Sequence, residues 1–130
     1  MLDTNICIYC IKRKPEQVLK HLKEHTHSEI CISAITYAEL MHGVEKSEFV
    51  ERNRLALTLF LAQIDILPFD TAAAEAYGRI QAQLQKKGSV IGTLDTMIAA
   101  HALSLGYTVV TNNTREFKRV VNLEVVNWTI

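Results

Sequence analysis

The chain of 130 residues predicts an α/β fold: a three-layer α/β/α sandwich with a central parallel sheet of about five strands. Three observations carry this. Short β-branched runs alternate with longer segments whose apolar residues recur at helical spacing, the pattern of strand–crossover–strand units. The runs stop at polar or capping residues rather than at tight hairpin turns. The stretch Ile91–Asn113 shows one complete unit. Gly92 and Thr93 interrupt what precedes, with Thr93 as the candidate N-cap and Asp95 in the first helical turn. An apolar helix from Met97 to Leu105 follows, and Gly106 closes it.

The remaining elements follow in order, with strands at 1–3, 29–33, 64–67, 107–111 and 123–127. Met1–Leu2 leads into Asp3-Thr4-Asn5, after which Ile6, Cys7, Cys10 and Ile11 mark a helix ending at Lys12-Arg13-Lys14. Pro15 opens a second helix at its first-turn position, with Val18, Leu19 and Leu22 on one face. Glu29–Ser33 is a strand, and Ser33 caps a helix that carries Glu39 in its second turn. Ser47 is the candidate cap of the next helix, which is apolar on nearly all sides through Leu55, Leu57, Leu59, Phe60 and Leu61. Ile64–Leu67 is a strand closed by Pro68. Asp70 caps an alanine-rich helix with Ala73, Tyr77, Ile80 and Leu84 inward. Thr114–Arg119 is a short helical turn.

Composition bounds the class. This length fits one domain, 1–130, with a real core. Formal charge balances at 14 basic against 14 acidic residues, which disfavours a nucleic-acid coat protein but allows a local basic rim. Cys7, Cys10 and Cys31 are an odd count without a signal peptide, which reads as a reducing cytoplasm. No apolar run approaches the roughly 20 residues that span a bilayer.

The functional signal is the phase of the acids. Asp3 ends the first strand, Glu39 rides the helix after the second, Asp95 begins the helix feeding the fourth, and Asn113 and Glu116 follow the fourth. All reach the carboxyl edge of one sheet, where open α/β folds bind ligands. Carboxylates roughly 4–6 Å apart repel unless a cation sits among them. Hard oxygen donors suit Mg²⁺ or Mn²⁺, ions that act on phosphodiesters. For each acid alone the plain alternative is a helix cap or a solvated charge. Asp95 at a helix start is expected to have a low pKa through the helix dipole.

The chain resembles PIN-domain proteins, specifically VapC-type toxin ribonucleases of bacterial toxin–antitoxin pairs. The resembling segments are MLDTN at 1–5, ISAITYAEL at 32–40, IGTLDTMIAAHAL at 91–103 and TNNTREF at 111–117. The resemblance implies a metal-dependent endoribonuclease with Asp3, Glu39 and Asp95 catalytic and Asp3 and Asp95 as direct ligands of Mg²⁺ or Mn²⁺. It further implies RNA as substrate, with tRNA cut in an exposed loop. A homodimer is expected, neutralised by a VapB-type antitoxin whose C-terminal arm sets a basic side chain against the pocket. The toxin–antitoxin assembly would bind operator DNA through the antitoxin. Two departures stand out. Many PIN domains carry a fourth acid where this chain has Asn113, a catalytic candidate that can still orient water or phosphate by hydrogen bonding, with Glu116 the candidate source of the missing charge. Relatives commonly have a few apolar residues ahead of MLDTN, so the first strand here is expected to be clipped.

Thr4 and Asn5 are supporting candidates beside Asp3, with Asn5 as helix cap the plain reading. Lys12, Arg13, Lys14 and Arg115 are the candidate RNA contacts, and ordinary solvated charge explains them equally well. Cys7 and Cys10 are spaced C-x-x-C but lack further zinc ligands, so they read as core cysteines. His21, His25 and His27 read as a solvated face, and His101 as a hydrogen-bonded core residue. Surplus apolar surface on the helices at 15–25 and 49–62, with Leu22, Val50, Leu57 and Leu61 as exposed candidates, is expected to meet the antitoxin and a second copy. Two rivals remain open. A receiver-like signalling module would also have five parallel strands and an acidic Mg²⁺ pocket, with Asp70 as approximate phosphoacceptor. A catalytically silent PIN-like scaffold would bind protein only.

Overall fold

The structure is a computed structural model that describes residues 1–25 and 29–130. Its strands are shorter than the sequence predicts. They are β1 (Cys31–Ser33), β2 (Asp65–Leu67), β3 (Val109–Val110) and β4 (Val125–Val126). β1 pairs parallel with β2, and β3 parallel with β4. The N-terminal segment joins these two ladders rather than forming a regular strand of its own. Leu2 N–H donates to the Cys31 carbonyl at 2.9 Å, and Asp3 N–H donates to the Val110 carbonyl at 3.0 Å. Val110 N–H donates back to the Met1 carbonyl at 2.9 Å, and Leu2 bridges Val110 in parallel. The parallel order across the molecule is therefore β2, β1, residues 1–3, β3, β4.

Side-chain alternation explains the layers. Met1, Cys31 and Val109 enter one hydrophobic cluster, while Leu2, Ile32 and Val110 enter the other. Successive residues of a strand face opposite sides, so each segment feeds two cores. The first core takes Ala76, Ile80 and Leu84 of α5 (Thr71–Lys86), Ile98–Ala100 of α6 (Thr93–Leu105) and Phe117 of α7 (Thr114–Phe117). The second takes residues of α1 (Thr4–Lys12), α2 (Glu16–Glu24), α3 (Ala34–Glu45) and α4 (Val50–Leu61).

Helix starts separate sound expectations from wrong ones. Ser33 caps α3 through Ile35 N–H at 3.1 Å, and Asp70 caps α5 through Ala73 N–H at 3.0 Å, as read from the sequence. Asp70→Ala is expected to cost about 1 kcal/mol of unfolding free energy in urea titrations, the usual cost of a lost cap. Asp3, not Asn5, caps α1: its Oδ1 accepts from Ile6 N–H at 3.0 Å. Gly92 rather than Thr93 is the cap position of α6, and Thr96 Oγ1 donates back to the Gly92 carbonyl at 2.9 Å. Phe49 precedes α4, while the Ser47 hydroxyl donates to the Val44 carbonyl at 2.6 Å and so serves the end of α3. Pro15 stands one residue outside α2, at its N-cap.

The expected exposed face of α4 also changes. Leu57 is buried in the second core, and Leu22, Val50 and Leu61 are half-buried against it. Leu55 and Leu59 are the exposed leucines, about 60 % accessible. An apolar helix with no marked stripe gives no local signal for its inward side.

Candidate active site

Asp3 leaves the central segment buried, only 4 % exposed, with both carboxylate oxygens engaged. Oδ1 holds the Ile6 N–H, and Oδ2 accepts a short hydrogen bond from Thr111 Oγ1. Thr111, fully buried directly after β3, in turn accepts from Asn113 N–H at 2.9 Å. Thr111 is the residue sequence reasoning missed. Its signal was its place as the first polar residue after a β-branched run. Asp3 has a pKa above the ordinary carboxylate value, raised by burial. The bonds from Thr111, Ile6 and the Asn5 backbone oppose that rise, and the charge of Glu39 adds to it.

Glu39 is half-buried on α3, and its Oε1 accepts from Thr4 Oγ1 at 2.6 Å. Thr4 thus takes the supporting position expected of it. Asn5 is exposed in the first turn of α1, and its side chain makes no hydrogen bond among the described residues. Its contribution to Asp3 runs through the backbone.

Asp95 is the third residue of α6 and caps nothing. Its pKa is pushed up to about 6, first by burial and then by the charges of Asp3, Glu39 and Glu116. The low value expected from the helix dipole is therefore wrong. A helix N-terminus contributes roughly 0.3–1 kcal/mol at an exposed site, less than burial beside three carboxylates takes away. Asn113 Nδ2 stands between two of these acids, donating to Glu116 Oε2 at 3.1 Å and to Asp95 Oδ2 at 3.4 Å. The amide occupies the position of an expected fourth acid and softens the repulsion between its neighbours. Asp3, Glu39, Asp95, Asn113 and Glu116 are therefore all brought together.

A raised carboxylate pKa means that the folded chain holds the proton more tightly than the unfolded chain does. Stability of the protein without divalent cations is therefore expected to fall as pH rises from about 4 through the Asp95 value of about 6. Urea unfolding in EDTA at pH 4.5 and pH 7.5 measures this. The drop should shrink in Asp95→Asn, and an equal drop in both would remove Asp95 as its source.

Topology explains the location. The chain runs from the N-terminal segment to β1 and β2 on one side of it, then crosses back to β3 and β4 on the other. The crevice beyond the strand ends at such a switch point is where open α/β sheets place ligands. Asp3 ends one strand flanking it, and Thr111 with Asn113 follows the other. This strand order also differs from that of receiver modules, whose first strand lies beside the third. Asp70, the receiver candidate, is occupied as the cap of α5.

The cysteine and histidine candidates take no part in the acidic cluster. Cys7, Cys10 and Cys31 are buried and free, with burial pushing every thiol up and Cys10 to about 11. His101 is a core residue as expected, with Nδ1 2.8 Å from Ser33 Oγ. His25 is exposed and His21 half-buried, in keeping with the solvated face expected of them. Both stack on Trp128, with ring centroids 5.5 and 5.2 Å away, and His27 lies outside the described residues. Lys12, Arg13, Lys14 and Arg115 are exposed, and none makes a salt bridge among the described residues. A cavity of about 600 Å³ opens at the amino ends of the strands and includes none of the clustered acids.

A parallel α/β/α domain with four carboxylates gathered at its switch point defines the class of protein. The chain belongs to the PIN domain family, whose sequence model matches residues 1–123. It is 47% identical over 128 residues to the tRNA(fMet)-specific endonuclease VapC of Shigella flexneri, covering 98% of this chain and 96% of that one. The crystal structure of DNA-bound VapBC from Salmonella typhimurium is similar with a TM-score of 0.94 at 46% identity, covering 98% and 96% of the two chains. VapBC2 from Rickettsia felis, bound to a DNA fragment from its promoter, gives 0.90 at 42% identity, with 98% and 97% covered.

Proposed function

We propose that this chain is a VapC-type endoribonuclease toxin dependent on Mg²⁺ or Mn²⁺, cutting tRNA in an exposed loop and thereby inhibiting translation and growth. The observation that carries the reading is the gathering of Asp3, Glu39, Asp95 and Glu116 at one edge, at a cost visible in the raised Asp95 pKa. Carboxylates held together against their own repulsion suit a site completed by a cation. The donors are all hard oxygens, which suits Mg²⁺ or Mn²⁺ better than zinc. Among the described residues no three such side chains stand close enough to ligate one ion directly. Mg²⁺ keeps several waters and takes one or two carboxylates, so Asp3 and Asp95 would suffice as direct ligands. The relatives named as endonucleases and found in VapBC assemblies support the same assignment.

The residues then divide their tasks. Asp3 and Asp95 would hold the ion, with Asp3 fixed by Thr111 and by the first turn of α1. Glu39, oriented by Thr4, takes the proton from the attacking water. Asn113 and Glu116 orient water or phosphate beside Asp95. The bound ion supplies charge neutralisation and water activation at a phosphodiester. Lys12, Arg13, Lys14 and Arg115 neutralise flanking phosphates.

An antitoxin arm fits the groove that starts at Glu39 and runs between α1, α3 and α4. Its volume is about 370 Å³, and Ile8, Ile11, Leu40, Val44 and Leu57 line it. A VapB-type antitoxin would lay an apolar segment there and place an Arg against the acids. Operator DNA would be bound through that antitoxin. Leu55 and Leu59 of α4 are the surface for a homodimer. No helix among the described residues is long and apolar enough to cross a membrane.

Incubation of the purified protein with total RNA tests the whole reading. Discrete fragments should appear with Mg²⁺ or Mn²⁺ and vanish with EDTA. Because protons compete with the cation for Asp95, whose metal-free pKa is about 6, more Mg²⁺ should be needed for half-maximal cleavage as pH falls below about 6. RNA left intact at neutral pH with either ion would refute it.

A further inference from the structure

Tyr9 and Asn112 form a second feature beside the acids, where the exposed side of α1 meets the segment after β3. Asn112 sits between Thr111, which holds Asp3, and Asn113, which holds Asp95 and Glu116. It is exposed, and its Nδ2 donates to the Tyr9 hydroxyl at 3.0 Å. The Tyr9 ring is half-buried, packed on the second core with its hydroxyl at the surface. Asn5, Tyr9 and Lys12 recur at i, i+4 and i+7 and so share one stripe of α1. The stripe starts at the turn capped by Asp3 and ends in the exposed basic run Lys12–Lys14. At 1.5 Å per residue, Tyr9 lies roughly 9 Å along the helix from Asp3.

We propose that Tyr9 and Asn112 form a nucleobase subsite, which rests on the ribonuclease reading above. The base flanking the scissile phosphate stacks on the Tyr9 ring. Asn112 reads the edge of that base, and Lys12 and Arg13 hold the phosphates beyond it. Aromatic rings beside a cationic track are how proteins grip single strands, because every base offers a π-face. The amide supplies the selectivity. One Asn112 N–H is engaged by Tyr9, which orients the amide and leaves Oδ1 and the second N–H without a partner among the described residues. That adjacent acceptor and donor match the N6 and N7 edge of adenine, the partner Asn reads in a bidentate pair. The preferred nucleotide is therefore an adenosine in a single-stranded segment.

The test uses Asp95→Asn protein, which keeps RNA intact, and a short single-stranded RNA carrying one adenine or an abasic residue at successive positions. Binding is read by fluorescence anisotropy. Adding Tyr9→Ala should weaken binding about tenfold, equivalent to about 1.4 kcal/mol of stacking. Tyr9→Phe should recover most of that affinity, since the ring is kept. Asn112→Ala should reduce the preference for adenine over pyrimidine by about fivefold, and Tyr9→Ala should abolish the loss caused by the abasic residue. A 2-aminopurine at the sensitive position should be quenched on binding by the Tyr9 protein and not by Tyr9→Ala. A general loosening of the fold would not produce that base-specific signal. Equal affinities for Tyr9 and Tyr9→Ala proteins, or no RNA binding at all, would overturn the subsite. Base-dependent binding through Tyr9 by a parent chain that cuts no RNA would leave the subsite standing and sink the nuclease reading instead.

Discussion

Asp95→Asn is expected to reduce RNA cleavage by at least about 100-fold, the effect of losing roughly 2.7 kcal/mol of transition-state stabilisation. The substitution keeps shape and removes one negative charge from the proposed cation site. Its effect on folding should be opposite in sign. Asp95 caps no helix, and at neutral pH it is held ionised among three other carboxylates. Removing its charge relieves that repulsion, so thermal unfolding in EDTA should occur at the same or a higher temperature than in the parent. Calorimetric titration with Mn²⁺ should show weakened binding, and expression without antitoxin should no longer arrest growth. Parental cleavage rates in the variant, unaffected by EDTA, would end the metal-nuclease assignment.

Phe117→Ala is expected to be the most destabilising single change outside the site, costing about 3–5 kcal/mol. Phe117 is fully buried, and it fastens the four-residue helix α7 to the core shared by α5 and α6. Total stability of a domain this size is of order 5–15 kcal/mol, so thermal unfolding should fall by about 10 °C or more. Activity should suffer as well, because Asn113 and Glu116 reach Asp95 from the segment that Phe117 anchors. Phe117→Leu should cost much less, since it fills most of the same volume. A loss under about 1 kcal/mol on Phe117→Ala, read by calorimetry, would show that α7 is held some other way.

Much of the fold and the candidate site was legible from local spacing. The alternation of runs gave the parallel α/β class, and Ser33 and Asp70 announced their helices because a cap acts within three residues. The common phase of Asp3, Glu39 and Asp95 gave the site, because strand ends and helix starts share one edge of such a sheet. The buried thiols and the core histidine followed from their apolar surroundings. What required tertiary structure was set by contacts between distant segments. The place of residues 1–3 between β1 and β3 rests on bonds to Cys31 and Val110, and no local pattern specifies that pairing. The same holds for Thr111, 108 residues from the carboxylate it holds. Asp95 illustrates the difference in kind. Its helix position argued for a lowered pKa, while burial beside Asp3, Glu39 and Glu116 raises it to about 6. Helix periodicity is a property of neighbours along the chain. Charge coupling, like the choice of which leucines α4 buries, depends on distances through space that only the packed chain determines.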